Sequence, residues 1–451
     1  MDLSEKVRAL AKRRGFVFPS SEIYGGLANT WDFGPVGVLL KNNIRDLWWK
    51  RFVLDRDEIV GIDASIFLNP KVWEASGHVD GFTDALVDCK DCNNRTRADH
   101  IIEDQMDNKK VEGLTMEELH TIIKDNKLTC PKCKSKKLTK PRKFNLLFET
   151  SIGILEGSKS KAYLRGEIAQ GIFLNYKNVL NSTRVKVPFG IAQSGKAFRN
   201  EITMGQMLHR TLEFDLMEFE YFIKPENWKE TFEMWKKEMW EFALSLGLNE
   251  KKLKWREHEE FERSHYSEKT IDIEYKYPFG WKEMFGLAYR TDFDLKNHQE
   301  KSGKDMTYTD TKTNEEFIPH VVEPTFGLSR LTGITLFDAY TEDGDRVYLK
   351  LDPKIAPYKV AVFPLLHNKP ELVDYAKKVY KDLKKHMVVT WDDRGNIGKR
   401  YFAQDEIGTP WCVTIDFDSL DDDTVTVRER DSAKQERMKV TDLKKYFESR
   451  I

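Results

Sequence analysis

Between Trp228 and Leu246 the apolar side chains Trp228, Phe232, Trp235, Met239, Phe242 and Leu246 follow one another in alternating steps of four and three. That spacing predicts a helix with one apolar face laid on a core. Val36, Leu40, Ile44, Trp48 and Phe52 recur at every fourth position and predict a second helix over 36–52, opened by Gly34-Pro35. Residues 185–201 and 212–223 read instead as strands, and the polar link between them suits an antiparallel hairpin. A further apolar helix is expected over 331–339, directly after Gly327-Leu328-Ser329-Arg330. Between about Asp84 and Arg142 the pattern dissolves into polar sequence with one short helical stretch over 116–123, as in an insertion hung from a larger domain. Beyond Pro353 and Pro357 the rhythm alternates: strand 358–363, helix 371–387, strand 388–391, then another helix and further strands. Such alternation predicts an α/β unit over 353–451, with a domain boundary near Asp352.

Composition narrows the class. A chain of 451 residues allows two to four domains at about 150 residues each. Lys and Arg number 73 against 74 Asp and Glu, a net charge of -1, so no general nucleic-acid coat is expected and any such contact must come from local patches. With 40% hydrophobic residues, 11 Trp and 27 Phe, the chain can build sizeable cores. Its start, Met1-Asp2-Leu3-Ser4-Glu5, has an early acid and no apolar stretch, and no run of 18 apolar residues occurs. A cytoplasmic protein with no membrane contact is the expectation.

Four of the five cysteines form two knuckles, Cys89-x-x-Cys92 and Cys130-x-x-Cys133, the spacing of a tetrahedral thiolate site for one Zn2+. Four reduced thiols or two disulfides are the alternatives, and the lack of a secretory signal disfavours the disulfides. Cys412 stands alone within a strand pattern and reads as a core residue.

The hairpin carries the most chemistry: Phe198-Arg199-Asn200-Glu201 on its first arm, Arg210-Thr211-Leu212-Glu213-Phe214 at the start of its second. If the first arm stays extended, Arg199 and Glu201 share a face; Phe214, Leu216, Glu218 and Glu220 share one on the returning arm, with Phe214 and Glu218 roughly 13 Å apart. A guanidinium fork, a carboxylate and an aromatic ring together fit a nucleoside triphosphate: phosphate on Arg, an adenine amino group on Glu, the base on Phe. An exposed hairpin laced by Arg–Glu pairs is the plainer alternative.

Two distant segments favour the nucleotide: the second arginine in Gly327-Leu328-Ser329-Arg330, and Gly34-Pro35 leading into the long helix. F-R-x-E with R-x-x-x-F, a closing G-x-x-R and the proline-started helix resemble the three signature motifs of the class II aminoacyl-tRNA synthetases. Within that class the chain is similar to the dimeric glycyl-tRNA synthetases nearly end to end. The resemblance covers Trp31-Asp32-Phe33-Gly34-Pro35-Val36-Gly37 with Lys41-Asn42-Asn43, and Arg97-Ala98-Asp99-His100. It extends through Ala169-Gln170-Gly171-Ile172-Phe173, Arg290-Thr291-Asp292-Phe293-Asp294-Leu295 and Gln404-Asp405-Glu406-Ile407-Gly408-Thr409-Pro410.

That resemblance implies an α+β fold: an antiparallel sheet of six or seven strands flanked by helices in a catalytic domain over 1–352, a zinc-bearing insertion over 84–143, and an α/β anticodon-binding domain over 353–451. Arg199 would hold the α-phosphate of ATP, and Arg210 and Arg330 its β and γ end. Phe214 would stack on adenine, Glu201 would read the amino group, and Glu283 would meet Mg2+ or ATP. Arg199 and Arg330 would be the catalytic pair. Glycine would be bound by Glu167, Glu218, Arg290, Glu323 and Thr325: carboxylates for the ammonium, Arg290 for the carboxylate. Zinc would sit on Cys89, Cys92, Cys130 and Cys133. The implied partners are glycine, ATP, the glycine-accepting tRNA and a second copy of the chain.

Departures from the family pattern touch the glycine wall. The chain has Arg165-Gly166-Glu167-Ile168-Ala169-Gln170 where R-P-E-T-A-Q is usual, and Glu323-Pro324-Thr325 where E-P-S is. Leu212 stands where an Arg is common, and Phe402-Ala403 replaces a basic pair. A basic run from Lys132 to Lys143 is a candidate for the acceptor arm of tRNA, or a solvated face. His78 reads as structural. Asp405 and Glu406 are candidate readers of anticodon cytosines, or else partners of Lys399 and Arg400. Two rival functions remain: a synthetase-like accessory protein that binds nucleic acid without catalysis, and a synthetase for another small amino acid.

Overall fold

The computed structural model describes residues 2–106, 111, 113–153, 160–201 and 207–451. Seven strands build the central sheet: β1 (Ile59–Gly61), β2 (Phe189–Phe198), β3 (Glu213–Ile223), β4 (Leu253–Glu257), β5 (Lys269–Tyr277), β6 (Gly280–Thr291) and β7 (His320–Gly327). Their spatial order is β4-β5-β6-β7-β3-β2-β1. Neighbours run antiparallel except at one edge, where β1 lies parallel to β2. Around it lie α1 (Leu3–Arg13), α2 (Pro35–Trp49), α3 (Ala169–Ser182), α4 (Trp228–Ser245), α5 (Phe293–Ser302) and α6 (Leu328–Ala339).

Alternation along β3 divides the sheet into a core face and a working face. Met217, Phe219, Tyr221 and Ile223 point into the main core, where the α4 stripe of Phe232, Trp235, Met239 and Phe242 meets them. All five residues of the α2 stripe are buried there too, although the α-helix ends at Trp49 and a wider turn, Lys50–Leu54, carries Phe52 inward. Trp48 and Phe52 lie 5.8 Å apart and both touch Phe326, and such a cluster stabilises beyond its buried area alone. Gly37 lets α2 press onto the preceding segment, since a Cβ there would fall 1.9 Å from the Phe16 carbonyl oxygen. On the opposite face α3 covers only one end, through Phe173 and Tyr176 against Phe189 and Phe222. The remainder stays open as a cleft.

The hairpin is shorter than its pattern implies. Its first arm begins at Phe189, after Pro188, which has no N–H for a ladder, and it ends at Phe198. Arg199 and Glu201 therefore lie beyond the strand, and part of the polar link, 202–206, lies outside the described residues.

Within 84–143, strands Thr83–Asp88, Arg95–Arg97 and Arg142–Asn145 form a small sheet. Helices Ala98–Glu103 and Met116–Asp125 close a separate core of Val87, Ile101, Ile102, Leu119 and Ile123 over it. The second helix starts at a capping box, Thr115 with Glu118.

The C-terminal segment forms its own sheet of β8 (Val360–Pro364), β9 (Val389–Trp391), β10 (Trp411–Ile415), β11 (Thr424–Glu429) and β12 (Gln435–Lys439), ordered β9-β8-β10-β11-β12. The first three are parallel and the last two pairings antiparallel. Helix α7 (Pro370–Leu383) packs Leu372, Ala376, Val379 and Leu383 on it, and α8 (Ile397–Ile407) carries Asp405 and Glu406. No helix among the described residues is long and apolar enough to cross a membrane.

Of the two alternatives for Asp405 and Glu406, pairing within the chain is the one seen, with other arginines in place of Lys399 and Arg400. Asp405 is 2% exposed and accepts from Arg346 at 2.7 Å and Arg428 at 2.8 Å. Glu406 accepts from Arg13 at 2.7 Å and Arg14 at 2.5 Å, tying α8 to the end of α1. Glu406→Ala should thus leave anticodon discrimination unchanged. It should lower stability by about 0.5 to 1 kcal/mol, as expected for a partly exposed ion pair. Urea unfolding, with aminoacylation of tRNA transcripts altered at each anticodon cytosine, checks both halves.

Candidate active site

Cross-strand register builds the floor of the cleft. Gln193, Glu218, Thr325, Gly286 and Asp272 are consecutive partners across β2, β3, β7, β6 and β5, so one row crosses the sheet. Gly286 contributes no side chain and leaves the middle of the row low. Above it lies a cavity of about 230 Å³. Arg199, Glu201, Arg210, Phe214, Glu283 and Arg330 line it, as do Glu167, Glu218, Glu323 and Thr325.

At one end Arg199 lies between two rings, its guanidinium 5.0 Å from Phe82 and 5.5 Å from Phe214. Its Nε donates to the Gly166 carbonyl at 3.0 Å. Cation–π packing fixes the group; among the described residues no carboxylate pairs with it. Glu201 accepts from Arg210 through Oε1 at 3.1 Å, while its Oε2 is buried without a partner among the described residues. A buried acceptor left open is costly unless something donates to it. Arg330 bonds Glu283 at 2.8 Å. Desolvation in the cleft pushes the Glu283 carboxyl up, and the Arg330 and Arg210 guanidiniums more than reverse this, holding it at about 2.

At the other end the acids gather. Glu167 accepts from Gln170 at 2.9 Å and lies 3.2 Å from His78 Nε2, while His78 Nδ1 is 2.8 Å from Ser76 Oγ. Burial pushes Glu167 up; His78 and Arg290 overcome that and hold it well below the usual carboxylate range. Glu323 is driven the other way, to about 7, chiefly by burial, with Arg290 opposing. Glu218 is raised well above the usual range by burial, then by Glu323 and Glu167.

Arg290 departs from its expected place. It is 1% exposed and does not line the cavity. Asp294 takes its Nε at 2.8 Å and Nη2 at 2.9 Å, Glu323 takes Nη1 at 2.8 Å, and the Tyr266 ring covers its face at 3.8 Å. Three of its five N–H groups are thus taken by Asp294 and Glu323, so the guanidinium braces those acids.

Sequence reasoning missed His258 and Asp272, which face the same cavity, with His258 Nε2 2.6 Å from Asp272 Oδ2. No motif marks them, because only the register of β5 brings them there. Asp294 was within reach: it stands four residues after Arg290, where the strand turns into α5.

In the insertion the four knuckle thiols converge. Sγ atoms of Cys89 and Cys133 are 3.5 Å apart, those of Cys92 and Cys130 3.7 Å, and all four lie within 4.8 Å of one another. A disulfide needs about 2.05 Å, whereas four thiolates each ~2.3 Å from a tetrahedral ion stand about 3.8 Å apart. The donor set therefore fits zinc. Asn93 and Lys134 take positive φ, and their N–H groups donate to the Cys89 and Cys130 carbonyls, so the knuckles are matched turns.

An antiparallel sheet whose open face holds Arg199, Glu201 and Phe214 opposite Arg330 is the framework of a class II aminoacyl-tRNA synthetase. Residues 359–450 match the family described as Anticodon binding domain. Over 455 residues, 99% of this chain and 98% of the relative, the chain is 51% identical to the glycine–tRNA ligase of Caldanaerobacter subterraneus subsp. tengcongensis. The glycine–tRNA ligases of Clostridium acetobutylicum and Acetivibrio thermocellus are 51% and 52% identical over the same shares. The chain belongs to the glycine–tRNA ligase family.

Proposed function

We infer that this protein activates glycine with ATP and transfers the glycyl group to the 3' end of its tRNA. The observation that carries the residue-level reading is the set of groups lining the cleft. It holds Arg199, with which no carboxylate pairs among the described residues, together with Glu201, whose Oε2 has no partner among them, and a cluster of buried acids. Those are the charges that adenine, phosphate and ammonium require.

In this reading adenine stacks on Phe214 with its amino group on Glu201, and Arg199 takes the α-phosphate. Arg210 and Arg330 take the β and γ end. The ammonium of glycine sits on Glu218 and Glu323, beside Glu167 and Thr325. Arg290 is a positioning residue that fixes Glu323 through Nη1 and, with His78, holds Glu167 ionised. The glycine carboxylate attacks the α-phosphorus, the bond to pyrophosphate breaks, and glycyl-adenylate forms. A hydroxyl of the terminal ribose then attacks the adenylate carbonyl and AMP leaves. No side chain acts as nucleophile; positioning and a preorganised cation do the catalytic work. Mg2+ arriving with ATP supplies further neutralisation of phosphate charge, and the ionised Glu283 is the residue to hold it. Zinc on the four cysteines is structural.

The domain division at 352, with the insertion over 84–143, accompanies this reading, as do a cytoplasmic site of action and a homodimer. Ile23, Tyr24 and Leu27, 89%, 87% and 60% exposed just before α2, support a covered surface there. Exchange of labelled pyrophosphate into ATP, measured with each of the amino acids, is the deciding experiment. Glycine alone should drive it; exchange driven equally by alanine or serine, or by none, would overturn the reading.

A further inference from the structure

The working face of β3 carries one acid to which no substrate contact has been given. Glu220 follows Glu218 by two residues and so projects from the same face. Oxygens of Glu218, Glu220 and Glu323 all lie within 4.8 Å of one another. Glu220 is 0% exposed, and both its oxygens are buried with no hydrogen-bond partner among the described residues; Oε1 of Glu218 is in the same state. Glu323 differs, because its Oε1 already accepts from Arg290.

Three ionised carboxylates cannot persist so close together in a site closed to water. The charged groups facing Glu220 are Glu218 on its own strand, Glu323 from β7, Arg290 from β6 and Asp294 from α5. Arg290 is the sole cation of that set, and its N–H groups go to Asp294 and Glu323. Burial, then Glu323, pushes the Glu220 carboxyl well above the usual range. Protonated, a carboxyl becomes a donor, and the neighbouring Glu218, an oxygen of which lies within 4.8 Å, offers in its buried Oε1 an acceptor without a partner among the described residues.

We propose that Glu220 is a positioning residue: its carboxyl O–H donates a hydrogen bond to Glu218, which is thereby oriented toward the ammonium group of the substrate. The proposal rests on the reading of Glu218 as an ammonium ligand. It explains why an acid that does not line the cleft is fully buried beside Glu218. A donor to one carboxylate of a crowded set lowers the repulsion without adding a second cation that would compete with the ammonium.

Glu220→Gln keeps a donor of the same shape, and Glu220→Leu removes it. In pyrophosphate exchange the Gln variant should stay within about threefold of wild type in kcat/KM for glycine. The Leu variant should lose about 30-fold through KM for glycine, with KM for ATP unchanged. Stability reads the proton itself. The folded wild type retains a proton that the unfolded chain releases above the ordinary value of 4.5, so its stability falls as pH rises past that value. Gln has no such proton, and its thermal midpoint relative to wild type should rise steadily from pH 5 to pH 8. A constant difference over that range, or a Gln variant as impaired as Leu, would overturn the proposal. Should Leu fail to fold, the Gln kinetics and its pH series decide alone. Glu218→Gln separates the two levels. If it leaves glycine use intact, the reading of Glu218 fails and the proposal with it; if it cripples glycine use while Glu220→Leu keeps the wild-type KM, the role of Glu220 alone is refuted.

Discussion

Arg199→Ala should cut glycine-dependent pyrophosphate exchange about 10²- to 10³-fold, the loss of about 3 to 4 kcal/mol expected when one preorganised charge is removed from the reacting phosphate. Its thermal midpoint should barely move. Among the described residues the Arg199 side chain makes one hydrogen bond, to Gly166, and packs on Phe82 and Phe214, and no carboxylate there is stranded by its removal. Activity and stability should therefore separate, which they would not for Arg290, whose loss leaves Asp294 and Glu323 buried without their cation. Arg199→Lys should recover only part of the rate, since an ammonium restores the charge but not the planar fork. Exchange at the wild-type rate in Arg199→Ala would show that the hairpin does not bind the α-phosphate.

What was legible in the chain was what contiguous spacing encodes. The α4 and α2 stripes, the hairpin arms and the cysteine knuckles are each local patterns, and each element lies within its period, with the first hairpin arm and the α2 helix ending short of it. The strand-alternation rule failed at Arg199 and Glu201 for a local reason. The strand stops at Phe198, and these side chains reach the cleft from an irregular segment pinned by the bond from Arg199 N to the Leu212 carbonyl. The partners of Asp405 and Glu406 could not be read from the sequence because the arginines that take them, Arg346 and Arg428 for one, Arg13 and Arg14 for the other, are 23 to 393 positions away in the chain. That Asp294 and Glu323 take three N–H groups of Arg290 could not be read for Glu323, which lies 33 positions away and arrives through the β6–β7 pairing. Glu220 was visible on the face of β3, but its meaning needs Glu323, which only the β3–β7 pairing brings beside it.

Cys130→Ser should remove one zinc ion per chain and unravel the insertion while the central sheet stays folded. A structural zinc site contributes on the order of 10 to 16 kcal/mol of apparent binding free energy, far more than the small core of Val87, Ile101, Ile102, Leu119 and Ile123 can supply without it. The insertion is not isolated from the chemistry. Its last strand, Arg142–Asn145, runs into Leu146, whose carbonyl accepts from Asn200 N at 2.9 Å, and Leu146 N donates to the Phe82 carbonyl. Asn200 lies between Arg199 and Glu201, and Phe82 is one of the two rings holding Arg199. Loss of the ion should thus loosen the nucleotide end of the cleft and lower exchange by about 10- to 100-fold, the range a displacement near 1 Å produces. The amino-acid end, built on β3, β6 and β7, should keep its form, so KM for ATP should rise more than KM for glycine. Metal analysis, limited proteolysis across 84–143 and the two KM values test the chain of cause together. Metal-free protein that resists proteolysis in that segment and exchanges pyrophosphate normally would refute both the site and its link to the cleft.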